Sequence, residues 1–72
     1  MEELHNHVRE LRARDRLSQA ELAKLINASR QTIALIERGD YSPSVVLALK
    51  IAKVFNEPVE QIFELKGGDS HD

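Results

Sequence analysis

The sequence contains no cysteine, so neither a disulfide framework nor a thiolate metal site is available to staple it. At 72 residues the chain is near the lower size at which one core is self-sufficient, and such domains bury only ~60% of the surface their unfolded chain exposes. Apolar packing must therefore supply the stability. Long hydrophobic runs are also missing: nothing approaches the ~18 consecutive apolar residues of a membrane span. The start, Met1-Glu2-Glu3-Leu4-His5, has neither the basic nor the apolar stretch of a secretory signal. A cytoplasmic protein with no membrane partner is expected. The constellations of an enzyme are absent as well, with no Ser/His/Asp or Cys/His set, phosphate-cradling glycine loop or paired buried carboxylates. No catalytic residue and no cofactor are assigned. Of the histidines, His5 and His7 are two apart, which does not place them on one helix face, and with His71 they lack a clear third and fourth partner for a metal.

The formal charge of −2 leaves no basic tail for nucleic acid, but it is unevenly spread. From Arg9 to Arg38 stand seven bases (Arg9, Arg12, Arg14, Arg16, Lys24, Arg30, Arg38) against four acids (Glu10, Asp15, Glu21, Glu37), a surplus of +3. The acidic excess lies at the two ends.

What is present is an apolar pattern of helical period with no repeat, low-complexity stretch or internal linker. It predicts one all-α domain over residues 1–72, with helices near 6–16, 19–26, 30–38, 43–55 and 58–63 and a frayed tail over 66–72. Asn6 can cap the first helix, which carries Val8 and Leu11 on one face. Ser18 is followed three residues later by Glu21, a capping box that opens the second helix with Leu22, Ala23 and Ile26 inward. Asn27 can end that helix because its short side chain tolerates the left-handed conformation. Ser29 caps the third helix, which stops at Gly39. Ser42-Pro43 restarts the chain, with proline at a first helical position where its missing N–H costs nothing. Leu47, Ala48, Ile51, Ala52 and Phe55 form the core stripe of the fourth helix, read as core rather than as a small-molecule pocket. Asn56 is a second left-handed terminator, and Val59, Ile62 and Phe63 belong to a short fifth helix. The ends Leu4-His5 and Phe63-Glu64-Leu65 are short enough to pair as strands.

The spacing across the second and third helices is the sharpest signal. Gln19, Ala23, Asn27, Ile33 and Ile36 occupy relative positions 1, 5, 9, 15 and 18 of a helix-turn-helix. Two helices crossing steeply need a small side chain at Ala23, a left-handed-tolerant residue at Asn27 and branched apolar anchors at Ile33 and Ile36.

With these residues the stretch "LSQAELAKLINASRQTIALIERGDYSPSVVLALKIAKVFNEPVEQIF" resembles the phage-repressor-like (Cro/CI, XRE) helix-turn-helix class, above all its small stand-alone bacterial and archaeal regulators. The resemblance covers about residues 6 to 63. It implies a compact five-helix, lambda-repressor-like domain that binds operator DNA as a homodimer, with the third helix in the major groove. It also implies terminal strands in some relatives. The family usually has glycine where this chain has Asn27 and Asn56, and both substitutions suit a left-handed residue.

On that resemblance the third helix is sparsely buried because its outer face is for a partner. The major groove, about 12 Å wide, admits a helix and displays a distinct pattern of donors, acceptors and methyl groups for each base pair. Arg30 can bond guanine and Gln31 adenine, each bidentately. Ala34 projects with them among the base-contacting candidates, and Leu35 can offer only apolar contact, which suits a thymine methyl. Gln19 resembles the family residue that holds a backbone phosphate, and Ser29, Thr32, Arg38, Tyr41 and Ser42 are the further candidates for the phosphate backbone, with Thr32 also able to meet a base. Arg14 and Arg16 add long-range attraction. Arg12 and Glu37 are expected to pair across the first and third helices as a structural ion pair. Val46, Leu49 and Val54 exceed what one core stripe needs, and this surplus is the expected dimer surface. The function implied is a double-stranded-DNA-binding transcription regulator, most simply a repressor on a pseudo-palindromic operator. An antitoxin-type module that binds a partner protein and regulates its own promoter is the alternative, disfavoured because little surface remains for such a partner.

Overall fold

The computed structural model describes residues 2–67. In chain order the elements are β1 (Glu2–Asn6), α1 (Val8–Asp15), α2 (Gln19–Leu25), α3 (Arg30–Arg38), α4 (Val45–Phe55), α5 (Val59–Ile62) and β2 (Phe63–Gly67).

Local signals set most of the helix ends. The Ser18 hydroxyl accepts from the Glu21 N–H at 3.0 Å while the Glu21 carboxylate accepts from the Ser18 N–H at 2.8 Å, so the box is closed in both directions. This pairing also holds the Glu21 carboxyl below its usual range. Asn27 takes φ 57° and Asn56 φ 56°, the left-handed conformation that lets the chain turn off a helix. Gly39 does the same for α3 at φ 83°, and the N–H groups of Gly39 and Asp40 return to the carbonyls of Ile36 and Leu35 at 3.0 and 2.9 Å. Arg16 is a further left-handed residue, at φ 58°, and ends α1.

Three expectations need correction. The all-α reading is not exact, because the pairing open to Leu4-His5 and Phe63-Glu64-Leu65 does form: β1 runs antiparallel to β2, pairing Leu4 with Leu65, His5 with Glu64 and Asn6 with Phe63. The His7 N–H donates to the Ile62 carbonyl at 2.9 Å just beyond it. The pairing arises because the bundle brings the start of α1 beside the end of α5, leaving two extended segments within reach of each other. Lys66 and Gly67 therefore lie in β2 and not in a frayed tail; residues 68–72 are outside the described residues. Secondly, Asn6 belongs to the strand, so α1 starts at Val8, although the Asn6 side-chain oxygen still accepts the Val8 N–H at 3.1 Å. Thirdly, α4 begins at Val45 and is capped by Ser44, whose hydroxyl accepts from the Leu47 N–H at 3.1 Å. A helix start has one capping position, and Ser44 in an extended conformation takes it, leaving Ser42 and Pro43 in the loop.

The core comprises Val8, Leu22, Ala23, Ile26, Ile33, Ile36, Ile51, Ala52, Phe55 and Ile62, all buried. Every helix contributes to it. Leu11, Leu17, Leu47, Val54, Val59 and Phe63 close its margins. Each large side chain so removed from water stabilises the fold by roughly 1.5–3 kcal/mol.

Candidate nucleic-acid interface

The site is built on α3, which is anchored from below by two residues. Ile33 and Ile36 are buried, and Ala23 on α2 is small enough to let the two helices approach. Positions 30, 31, 34, 35 and 38 then fall on the outer side of a 3.6-residue turn. Arg30, Gln31 and Arg38 are exposed, while Thr32, Ala34 and Leu35 are half-buried at the flanks. Ser29 is exposed, and its hydroxyl caps α3 by accepting the Thr32 N–H at 3.0 Å while also bonding the Thr32 hydroxyl at 2.8 Å.

A polar network lies beneath this face. Arg12 of α1 and Glu37 of α3 form a two-pronged ion pair, with Arg12 Nε donating to Glu37 Oε2 at 2.5 Å and Arg12 Nη2 to Oε1 at 3.1 Å. Their side chains are only 16% and 3% exposed. Arg12 Nη1 also donates to the Leu17 carbonyl at 2.9 Å. Gln19, at the start of α2, donates through Nε2 to the same Glu37 Oε1 at 3.1 Å, and Arg30 Nη1 approaches Gln19 Oε1 at 3.5 Å. Burial alone would push the Glu37 carboxyl up, but the hydrogen bonds from Arg12 and Gln19 and the nearby positive charge outweigh it and hold the group below its usual range. The Arg12 guanidinium is correspondingly held above its own. Sequence reasoning did not foresee the Gln19–Glu37 bond, since nothing in the spacing of two residues 18 apart marks it.

The loop after α3 forms one edge of the site. Arg38 pairs with Asp40 at 2.8 Å, and Tyr41 and Ser42 are exposed. Asn6 ties the terminal sheet to this edge by donating to the Ile36 carbonyl at 2.8 Å. Arg14 does not supply free positive charge: it pairs with Asp15 at 2.9 Å and Glu57 at 2.6 Å and also donates to the Phe55 carbonyl. It clamps the end of α1 to the end of α4. Arg16 is exposed. His5 and His7 lie 3.5 Å from Glu3 and Glu10 respectively. Among the described residues no group of three or more His, Cys, Asp or Glu side chains is placed to hold a metal ion, and His71 lies outside them.

A helix-turn-helix family model matches residues 8–62 of the chain. The chain belongs to this family, in its XRE-type branch. It is similar to the uncharacterized HTH-type transcriptional regulator YgzD of Bacillus subtilis, 49% identical over 63 residues that span 88% of this chain and 96% of that protein. It is also similar to an uncharacterized HTH-type transcriptional regulator of Archaeoglobus fulgidus, 45% identical over 83% of this chain and 84% of that one. Among solved structures, the restriction-modification controller protein C.AhdI from Aeromonas hydrophila superposes with a TM-score of 0.70 at 35% identity, covering 75% of this chain and 82% of the other. A structure from Bacteroides fragilis, 21% identical, shares the fold with a TM-score of 0.77 over 85% of this chain and 98% of that one. DNA-binding transcriptional regulation is thus the function of the family to which this chain belongs.

This helix-turn-helix regulator has a second exposed surface of different character. Val45, Val46 and Leu49 on the first turns of α4 are 75%, 64% and 55% exposed. Val54, counted above with the surplus, instead packs against the core. Val45 joins this surface although it is outside the expected surplus; it stands beside Val46 ahead of the stripe that begins at Leu47, and adjacent positions on a helix cannot share one narrow face. Leu65 on β2 is exposed too. No helix among the described residues is long and apolar enough to cross a membrane.

Proposed function

We propose that the protein is a homodimeric repressor whose α3 lies in the major groove of a pseudo-palindromic operator, with Arg30 and Gln31 reading base edges. The observation that supports this most is the division of α3 into a buried side, Ile33 and Ile36, and an outer side on which Arg30 and Gln31 project from its first turn into solvent. Arginine matches the two acceptors of guanine and glutamine the donor–acceptor pair of adenine, at roughly 1–3 kcal/mol of discrimination for each bidentate pair. Ala34 and Leu35 are the apolar members of the reading surface. Gln19 has a second amide N–H beyond the one directed at Glu37 and can offer it to a phosphate. Ser29, Thr32, Arg38, Tyr41 and Ser42 flank the helix at positions suited to the same backbone, where contacts fix register without reading sequence.

Dimerisation follows from energetics. One short helix reading a few base pairs cannot supply the ~10⁻⁸ M affinity of a specific site, whereas a two-fold dimer doubles the contacts and sets two half-sites ~34 Å apart. The apolar patch of Val45, Val46 and Leu49 is the surface proposed for the partner copy, because a contiguous apolar patch is best stabilised by being covered. Repression then requires only that the bound dimer occlude the promoter.

Selection of duplexes from a random pool at stated salt tests the reading. A two-fold symmetric consensus is expected; Arg30→Ala and Gln31→Ala should each erase preference at one base pair of the half-site while the domain stays folded. A pool from which nothing is enriched, or a footprint of one protein on an unrepeated half-site, would overturn it.

A further inference from the structure

The chain of contacts Arg12–Glu37–Gln19–Arg30 runs from the buried side of the domain to the exposed start of α3. We infer that Glu37 is a positioning residue for base recognition: anchored by Arg12, its carboxylate fixes the Gln19 amide so that Gln19 Oε1 faces Arg30 and restricts where the guanidinium points. This rests on the reading of Arg30 as a base-contacting residue.

The orientation of the Gln19 amide follows from chemistry. An ionised carboxylate has no proton to donate, so the group that Gln19 turns toward Glu37 must be its NH₂. Glu37 is ionised, because Arg12 and Gln19 together hold its carboxyl below the usual range despite burial. With Nε2 committed to Glu37 Oε1 at 3.1 Å, the amide oxygen is the end left for the other side, and Arg30 Nη1 is found there at 3.5 Å. Arg12 grips both carboxylate oxygens, including the Oε1 that Gln19 uses, and the Glu37 side chain is 3% exposed, so it has little freedom to swing. An arginine on a bare helix surface samples many rotamers and loses that freedom on binding. One already confined by an acceptor loses less, and pre-organised contacts discriminate better than floppy ones. A residue that never touches DNA thereby sharpens the reading of one base pair.

Four proteins are compared by selection from a random duplex pool: the wild type, Arg30→Ala, Gln19→Met and Glu37→Gln. Arg30→Ala identifies the base pair that Arg30 reads. Gln19→Met keeps the size of the side chain and the Arg12–Glu37 pair but removes the amide. It should weaken preference at that base pair by on the order of fivefold, the low end of what a whole bidentate contact discriminates, and leave the base pair read by Gln31 unchanged. Glu37→Gln, assayed where it is folded, should lose preference at the same base pair. The nitrogen relaxation of the Arg30 Nε–H should report greater motion in Gln19→Met than in the wild type. In the wild type, the Gln19 side-chain amide should rotate more slowly than that of Gln31, a measurement that needs no Glu37 variant. Equal weakening of all duplexes by Gln19→Met with both preferences intact, or Gln19 and Gln31 amides rotating at one rate, would overturn the inference while leaving Arg30 as a reader. If Arg30→Ala itself erased no preference, the underlying reading would fail instead.

Discussion

The helices α3 and α4 rest on one core yet present opposite kinds of outer face. α3 buries Ile33 and Ile36 and exposes Arg30, Gln31 and Arg38, whereas α4 buries Ile51, Ala52 and Phe55 in its second half and exposes Val45, Val46 and Leu49 in its first. Beyond the contacts of Arg30 with Gln19 and of Arg38 with Asp40, the exposed donors on α3 can bond water, so that face is stable uncovered and its demand is geometric. The side chains on the first turns of α4 have no such recourse: water around them is costly in proportion to area. The two outer faces therefore suit different partners, one of matching hydrogen-bond pattern and one of matching apolar surface.

The comparison breaks most forcefully at the shared core. Ile33→Ala or Ile36→Ala should cost roughly 2–5 kcal/mol in denaturant unfolding, because each is buried among well-packed neighbours. Ile51→Ala on α4 should cost a similar amount; a loss well under about 1 kcal/mol at either isoleucine of α3 would mean that its anchors do not seat it. A double change on the apolar face, Val46→Lys with Leu49→Lys, should leave monomer stability within about 0.5 kcal/mol per site, as exposed positions usually do. For the proposed dimer, sedimentation should show a dissociation constant raised at least about tenfold, as expected where a pair of apolar anchors is lost. On the proposed reading, operator affinity should fall with it, although neither residue is on α3.

A smaller effect separates the two helices by pH. The folded-state Glu37 carboxyl is held below its ordinary value of 4.5, so the stability it contributes is fully present above that value and disappears as the pH falls through the lower, folded-state value. Arg12, raised from an already high value, stays charged throughout. Unfolding free energy measured from pH 7 down to pH 3 should therefore decline at the acid end, less steeply in Glu37→Gln, whereas truncations on the apolar face of α4 should leave that slope unchanged. Smallest of all are the helix ends. Gly39→Ala should cost about 1 kcal/mol in thermal unfolding, purely from the left-handed backbone, since nothing lies within 4 Å of an added Cβ. Asn56→Ala, at the end of α4 and also left-handed, should cost about the same.

Much of this architecture was legible from short-range patterns. Ser18 with Glu21, Asn27, Ser29, Gly39 and Asn56 declare helix ends through hydrogen bonds and backbone conformations that span only a few residues, and the helices end where those residues stand. The same logic misplaced the start of α4, because Ser42 and Ser44 are both competent caps and only packing chooses between them. The ends Leu4-His5 and Phe63-Glu64-Leu65 were readable as segments short enough to pair, but helical periodicity could not decide it, because the strands are more than fifty residues apart in the chain and only the packing between them brings them together.

The amino-acid sequence by itself determined which segments are helical, where most of them stop, and that α3 has an apolar underside beneath a polar top, because caps and apolar periods act over one or two turns. The tertiary structure alone decided that β1 meets β2, that Arg14 is neutralised by Glu57, that Val54 is covered while Val45 is not, and that one carboxylate at Glu37 joins α1, α2 and α3. Those outcomes depend on distances between residues far apart along the chain, and only the packing of the whole core sets such distances.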